Sequence, residues 1–235
     1  MAPQPLSKIK ATNYIFGTDG LAVRPDQATL VAQTIAGWAV TETHLGHIFG
    51  FLIGASKPVT MSMYAAMRSF DVQRALLETA ARELLPVRYA DMLFAVLVVL
   101  NRAASVRHQF AHGIWGSSQD IPDALLLAPP KNFWLMRVQR LRYWKRIKDV
   151  DGTVLLNEPR IDRSTVMVYK TKDLIDVCDR MEQSYRYAEG VYQMISSKST
   201  RRRTIYNLLC NEPEIKTALQ KHREAQGRGG KLAKK

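Results

Sequence analysis

The feature that most constrains this chain is the recurrence of apolar residues at steps of three and four, punctuated by prolines. Val31, Ile35, Trp38, Glu42, Leu45, Phe49 and Leu52 form one such row, the stripe of a helix with one buried face. An adjacent row, Thr34, Trp38, Thr41, Leu45, Ile48 and Leu52, fits equally well, so Glu42 lies on the stripe or at its edge. Pro25 stands where a first helical turn tolerates proline. Lys57-Pro58 breaks the pattern, and Thr60 or Ser62 can cap a second helix in which Met63, Met67, Phe70, Leu77, Ala81 and Leu84 keep helical spacing until Pro86. A third helix is predicted from about Tyr89 to Phe110, with Leu93, Leu97, Leu100, Ala104 and then Arg107 on one face. A fourth, capped by Thr171, carries Leu174, Cys178, Met181, Tyr185, Ala188, Tyr192 and Ile195.

Between these helices the pattern changes. Residues 1–24 read as an irregular lead, and the chain reads as loop from Gly113 through Ala128-Pro129-Pro130. Phe133 to Tyr143, the stretch around Asp151-Gly152, and Thr165 to Tyr169 read as strands, with a hairpin turn at Asp-Gly. The expected fold is mainly α: an antiparallel four-helix bundle over residues 25–197 with a small antiparallel β-hairpin or meander (about 133–169) inserted before the last core helix. A basic C-terminal extension, residues 198–235, follows it. At 46% hydrophobic and 23% charged, the 235 residues have a globular composition, which excludes wholesale disorder.

The longest apolar run, Met92 to Leu100, falls far short of the roughly 20 residues that cross a bilayer, so no membrane partner is expected. Met1 to Lys10 lacks the apolar core of a secretory signal. Cys178 and Cys210 can build neither a disulfide scaffold nor a four-cysteine zinc site. The expected compartment is the cytoplasm.

The formal charge of +13 is localised. From Lys198 to Lys235, eleven Lys and Arg stand against three Glu, a net +8; from Lys131 to Val150, seven stand against one Asp, a net +6. Such clustering favours a polyanion, nucleic acid before membrane. Arg137, Arg140, Arg142, Lys145 and Arg146, interleaved with Trp134, Tyr143 and Trp144, are the types that track a phosphate backbone and stack bases, and Arg201, Arg202 and Arg203 form a second cluster. Each basic stretch also fits a merely solvated face.

Chemistry concentrates in Arg107-His108-Gln109-Phe110-Ala111-His112-Gly113-Ile114-Trp115. On an ideal helix His108 and His112 share a face, whereas Arg107 and His112 are about 140° apart. Arg107 and His112 converge on one small group only if the helix ends or distorts near Phe110, or if the arginine reaches round; Gly113 fits such an ending. A guanidinium grips phosphate oxygens and stabilises charge building on a pentacoordinate phosphorus. An imidazole exchanges protons near neutral pH with a 2′-hydroxyl or a leaving 5′-oxygen. Together they suffice for metal-independent RNA cleavage that spares DNA.

The segment RHQFAHGIW resembles the motif of the HEPN superfamily: an arginine, a polar residue, then a histidine after four to six intervening positions near a helix end, in the form RN…HG.W. Arg107, His108 and His112 match those positions, with His108 where Asn or Asp is commoner. The likeness is tight over about ten residues, and the helix order is compatible over roughly residues 25–195. It implies an all-α bundle that dimerises so that two motifs face each other across one composite site. Active members cleave RNA there without metal or other cofactor, many in toxin–antitoxin or antiviral systems, with an antitoxin or regulatory protein as partner. Other members are non-catalytic binding modules. The expected function is thus a metal-independent endoribonuclease using Arg107, His112 and His108, with a non-catalytic nucleic-acid-binding or regulatory module as the alternative.

Plainer roles compete for the same residues. Arg107 could neutralise Glu42 as a structural ion pair, and His112 could cap a helix end. His108-x3-His112 has metal-ligand spacing, which His44-x2-His47 could complete, but neither a His-Glu-x-x-His nor a Glu-x-x-His arrangement accompanies it, and no metal is expected. Trp115 and Cys178 read as packing residues.

Overall fold

The computed structural model describes residues 3–135 and 161–232. The protein is mainly helical with a small antiparallel sheet. The chain divides into two compact units, residues 1–35 with 108–178 and residues 36–107 with 179–235. In chain order the elements are β1 (Gln4–Pro5), β2 (Tyr14–Phe16), α1 (Thr18–Ala22), α2 (Pro25–Ile53), α3 (Lys57–Ala66), α4 (Phe70–Leu84), α5 (Val87–His112), β3 (Ile114–Ser118), β4 (Ile121–Ala128), β5 (Met167–Lys170), α6 (Thr171–Ser196), α7 (Ser199–Asn211) and α8 (Pro213–Leu232). Helices α2, α5 and α6 each contribute a segment to both units.

The first unit is organised by the sheet, in the order β1-β5-β4-β3-β2, antiparallel throughout. The expected irregular lead is therefore corrected: its residues form both edge strands, and the segment between them crosses one sheet face, where Leu6 and Ala11 are buried. A two-residue turn joins β3 to β4, with Ser118 paired to Ile121. There Asp120 Oδ2 accepts the backbone N–H groups of Thr12 (2.6 Å) and Asn13 (3.1 Å). Those bonds favour the ionised form and hold the Asp120 carboxyl below its ordinary range. Strand β4 is apolar on both faces. Ala124, Leu126 and Ala128 join Leu6, Ala11, Ile161, Val166 and Val168 in one cluster, and the strand's period of two turns Leu125 and Leu127 to the other side. A strand buried on both faces reads as a continuous apolar run, which is why the expected loop from Gly113 to Pro130 proves to be β3 and β4.

In the second unit, the α2 positions that are buried are Trp38, Thr41, Leu45, Ile48 and Phe49, which decides between the two overlapping rows and leaves Glu42 at the edge, half-buried. Trp38 stacks edge-on against Phe70 with ring centroids 5.3 Å apart. The single second helix expected to end at Pro86 is two helices. Ser69 breaks it by accepting the Val72 N–H (3.3 Å) and so capping α4. Helix α5 is long and apolar enough by composition to cross a membrane, yet Met92 to Leu97, Val99 and Leu100 are all buried inside the protein. Helix α6 buries Leu174, Val177, Met181, Ser184, Ala188, Val191 and Ile195, one position round from the expected stripe at Val177, Ser184 and Val191. Within the basic C-terminal extension, residues 199–232 form α7 and α8, anchored by buried Tyr206, Leu209, Ile215 and Leu219.

Of the expected meander, residues 130–135 are helical, with Phe133 N–H bonded to Pro129 O (3.2 Å), and Met167–Lys170 is a strand. The Asp151-Gly152 hairpin lies outside the described residues.

Candidate acid–base site at the end of helix α5

Helix α5 does not break at Phe110. It continues through His112, and the Gly113 N–H still reaches Gln109 O (2.8 Å). Two features hold this end. The indole N–H of Trp115 donates to Phe110 O (2.9 Å), satisfying one of the orphan carbonyls of the last turn. Phe110, Trp115 and Tyr169 then pack as mutually edge-on or tilted rings, with centroids 4.9 to 6.0 Å apart. Gly113 is needed for close approach rather than for a left-handed turn. A Cβ placed there would stand 2.2 Å from Leu127 Cδ1 and 2.7 Å from Gln109 O. The helix ends by running into strand β4, and Trp115, expected as a packing residue, is buried.

This unbroken end decides which motif residues meet. His108 and His112 are both exposed, on one face of the last turn, with ring centroids 4.5 Å apart. Arg107 does not share their face: five residues on a regular helix set it about 140° from His112. It is half-buried, and its Nε is buried without a hydrogen-bond partner. The expected ion pair between Arg107 and Glu42 is not among the salt bridges of the described residues. Glu42 instead lies near Tyr64, whose phenol is raised by burial and then by the Glu42 charge. The last turn of α5 thus brings His108 and His112 together and sets Arg107 just before them in sequence, round the helix.

The second histidine pair has a different setting. The His44 ring meets Tyr185 edge-on (4.9 Å) and His47 (5.8 Å), and His47 lies 6.0 Å from Tyr192. Burial, then His44 and Lys57, hold the His47 imidazole below its ordinary pKa. Among the described residues no three His, Cys, Asp or Glu side chains form a metal-binding group.

The basic residues divide as sharply. Arg137, Arg140, Arg142, Lys145 and Arg146 lie outside the described residues. Arg201 and Arg203 are exposed on the first turn of α7. Arg202 is structural: its Nη2 donates to Ile195 O (3.2 Å) and Ser197 O (2.9 Å), capping the end of α6, and its guanidinium covers the Tyr89 ring at 5.5 Å. Sequence reasoning missed Asp91, a buried carboxylate that faces His222 (3.5 Å) and Arg223 (3.5 Å) on α8. The signal was present, since an acid opening an otherwise apolar run must find a cation when buried. Cys178 Sγ, half-buried, donates to Leu30 O (3.2 Å).

No protein-family model matches the chain, and neither a characterised protein nor a solved structure shows significant similarity to it.

Proposed function

We propose that this protein is a metal-independent endoribonuclease whose proton transfers are carried by His108 and His112 and whose transition-state charge is met by Arg107. The observation that carries the proposal is the exposed imidazole pair, 4.5 Å apart on the last turn of α5, directly following the arginine. One imidazole takes the proton of the RNA 2′-hydroxyl, whose oxygen attacks the adjacent phosphorus. The other protonates the departing 5′-oxygen. The products are a 2′,3′-cyclic phosphate and a free 5′-hydroxyl. The guanidinium stabilises the pentacoordinate phosphorane through which the attack passes. DNA lacks the nucleophile and is not cut.

The 140° offset of Arg107 shapes the proposal further. On one helix the arginine and His112 diverge, so the active species is a homodimer in which two copies of the motif face each other across one composite site, as the motif's resemblance to the HEPN superfamily implies. The bundle arrangement of the long helices and a cytoplasmic location belong to the same reading.

A second reading, a non-catalytic nucleic-acid-binding or regulatory module, has its own observation in its favour. Arg107 is half-buried with its Nε sealed from solvent, the setting of a structural arginine. Cleavage of labelled single-stranded RNA in excess EDTA separates the two. The nuclease reading expects cutting by the parent chain, none of a DNA control, and loss of cutting in His112→Ala and Arg107→Ala at unchanged RNA affinity. Cleavage that is absent from the parent, or that survives both substitutions, selects the binding module.

A further inference from the structure

In the second unit, α8 is fastened to α5 by the carboxylate already described. The Asp91 side chain is 9% exposed and faces both His222 and Arg223. Arg223 also donates to Tyr206 Oη (3.1 Å), and the His222 ring packs on Phe94 (5.1 Å). A helix held by an arginine–carboxylate pair, a histidine beside the same carboxylate and a ring stack does not lie loosely on its neighbour. What it frames is therefore a preformed surface.

Beside that clamp runs a groove of about 420 Å³ whose lining includes Val98 and Arg102 of α5 and Glu214, Thr217, Lys221 and His222 of α8. Val98, Pro213 and Ala218 make its apolar part. The charges are unequally committed. His222 is held by Asp91, whereas Arg102 and Lys221 are exposed and enter no salt bridge among the described residues. Glu214 is the one acid on the wall. Two uncommitted cations flanking an apolar strip suit a ligand that alternates anionic and uncharged parts at short intervals, which a sugar–phosphate backbone does. A flat anionic membrane fits less well, because the site is concave and α8 presents Lys216, Thr217, Gln220, Lys221 and Arg223 to solvent rather than an apolar face.

We propose that the groove between α5 and α8 binds the backbone of a single nucleic-acid strand, with Arg102 and Lys221 as its phosphate contacts. The inference rests on the preceding proposal only for the choice of RNA as the strand, not for the chemistry at His108 and His112.

The test is fluorescence anisotropy of a labelled 2′-O-methyl oligonucleotide, which binds but offers no nucleophile. Arg102→Ala combined with Lys221→Ala is expected to weaken binding roughly tenfold at low salt and to flatten the slope of log K against log salt by about 1.4, at about 0.7 per lost phosphate contact. Arg102→Lys combined with Lys221→Arg, which keeps both charges, is expected to retain most of the affinity. Unchanged melting of each variant guards against a folding defect. Parental affinity and slope in the alanine double variant would overturn the proposal, as would a loss seen only on phosphatidylserine vesicles or acidic peptides. His108→Ala with His112→Ala should leave this binding intact while abolishing cleavage of ordinary RNA. Failure of the groove and failure of the nuclease reading therefore show in different assays.

Discussion

The two histidine pairs of this protein have nearly the same spacing and opposite surroundings. His44 and His47 sit on α2 among Tyr185 and Tyr192, and burial keeps His47 from accepting a proton at its ordinary pH. His108 and His112 sit on the last turn of α5, exposed, with their rings 4.5 Å apart. The difference teaches that spacing selects residues able to share a face, and the environment decides whether the pair packs against other rings or stands open to solvent. The three consecutive arginines of α7 repeat the lesson, since Arg202 caps a helix while its neighbours face water.

The largest expected effect separates the pairs by activity. Replacing both His108 and His112 with Ala should lower kcat/KM for RNA at least about 100-fold, whereas His44→Ala and His47→Ala should leave it within about twofold. Equal losses from both pairs would break the comparison. Next comes the support of the exposed pair. Gly113→Ala forces a Cβ against backbone and Leu127 and should cost about 3 kcal/mol in denaturant titration, with partial loss of cleavage from the displaced His112. Arg202→Ala should cost about 1 kcal/mol through the unsatisfied carbonyls of α6. The pH response then sharpens the half-buried pair. Because the folded His47 pKa lies below its unfolded value near 6.5, its contribution to stability is fully present above that value and is lost as pH falls through it towards the folded pKa. Thermal melts from pH 7.5 to 5 should show this loss in the parent and a smaller one in His47→Gln. The smallest effect belongs to Arg201→Ala and Arg203→Ala, each expected within about 0.5 kcal/mol of the parent.

The long helices were legible because burial on one face writes a period of 3.6 into the sequence, and Trp38, Leu45 and Leu97 stand where that period puts them. The sheet was not legible. Gln4–Pro5 and Tyr14–Phe16 are too short to show alternation, and β4 is buried on both faces, so it has none. Ser69 hid a helix boundary because its apolar neighbours keep the same phase on either side of the cap. At the site, the residue types and the shared face of His108 and His112 were readable from spacing. The continuation of α5 through His112 was not, because it depends on Trp115 reaching back to Phe110 and on Leu127 crowding Gly113, contacts that only the folded sheet supplies. For Asp91 the need of a cation was readable from the apolar run it opens, but not which cation, since its partners lie about 130 residues away.

The placement of β1 and β2 at opposite margins of the sheet bears on how much unpaired ladder the sheet presents to other molecules. Unpaired strand margins template pairing with other molecules. Here β5 and β3 would be those margins, and the first sixteen residues occupy both. The pairing of Gln4 with Val168 is a contact between residues far apart in sequence, the kind that slows folding. Without those residues β5 and β3 would be the margins, each a longer unpaired ladder than the two- and three-residue strands that now cover them.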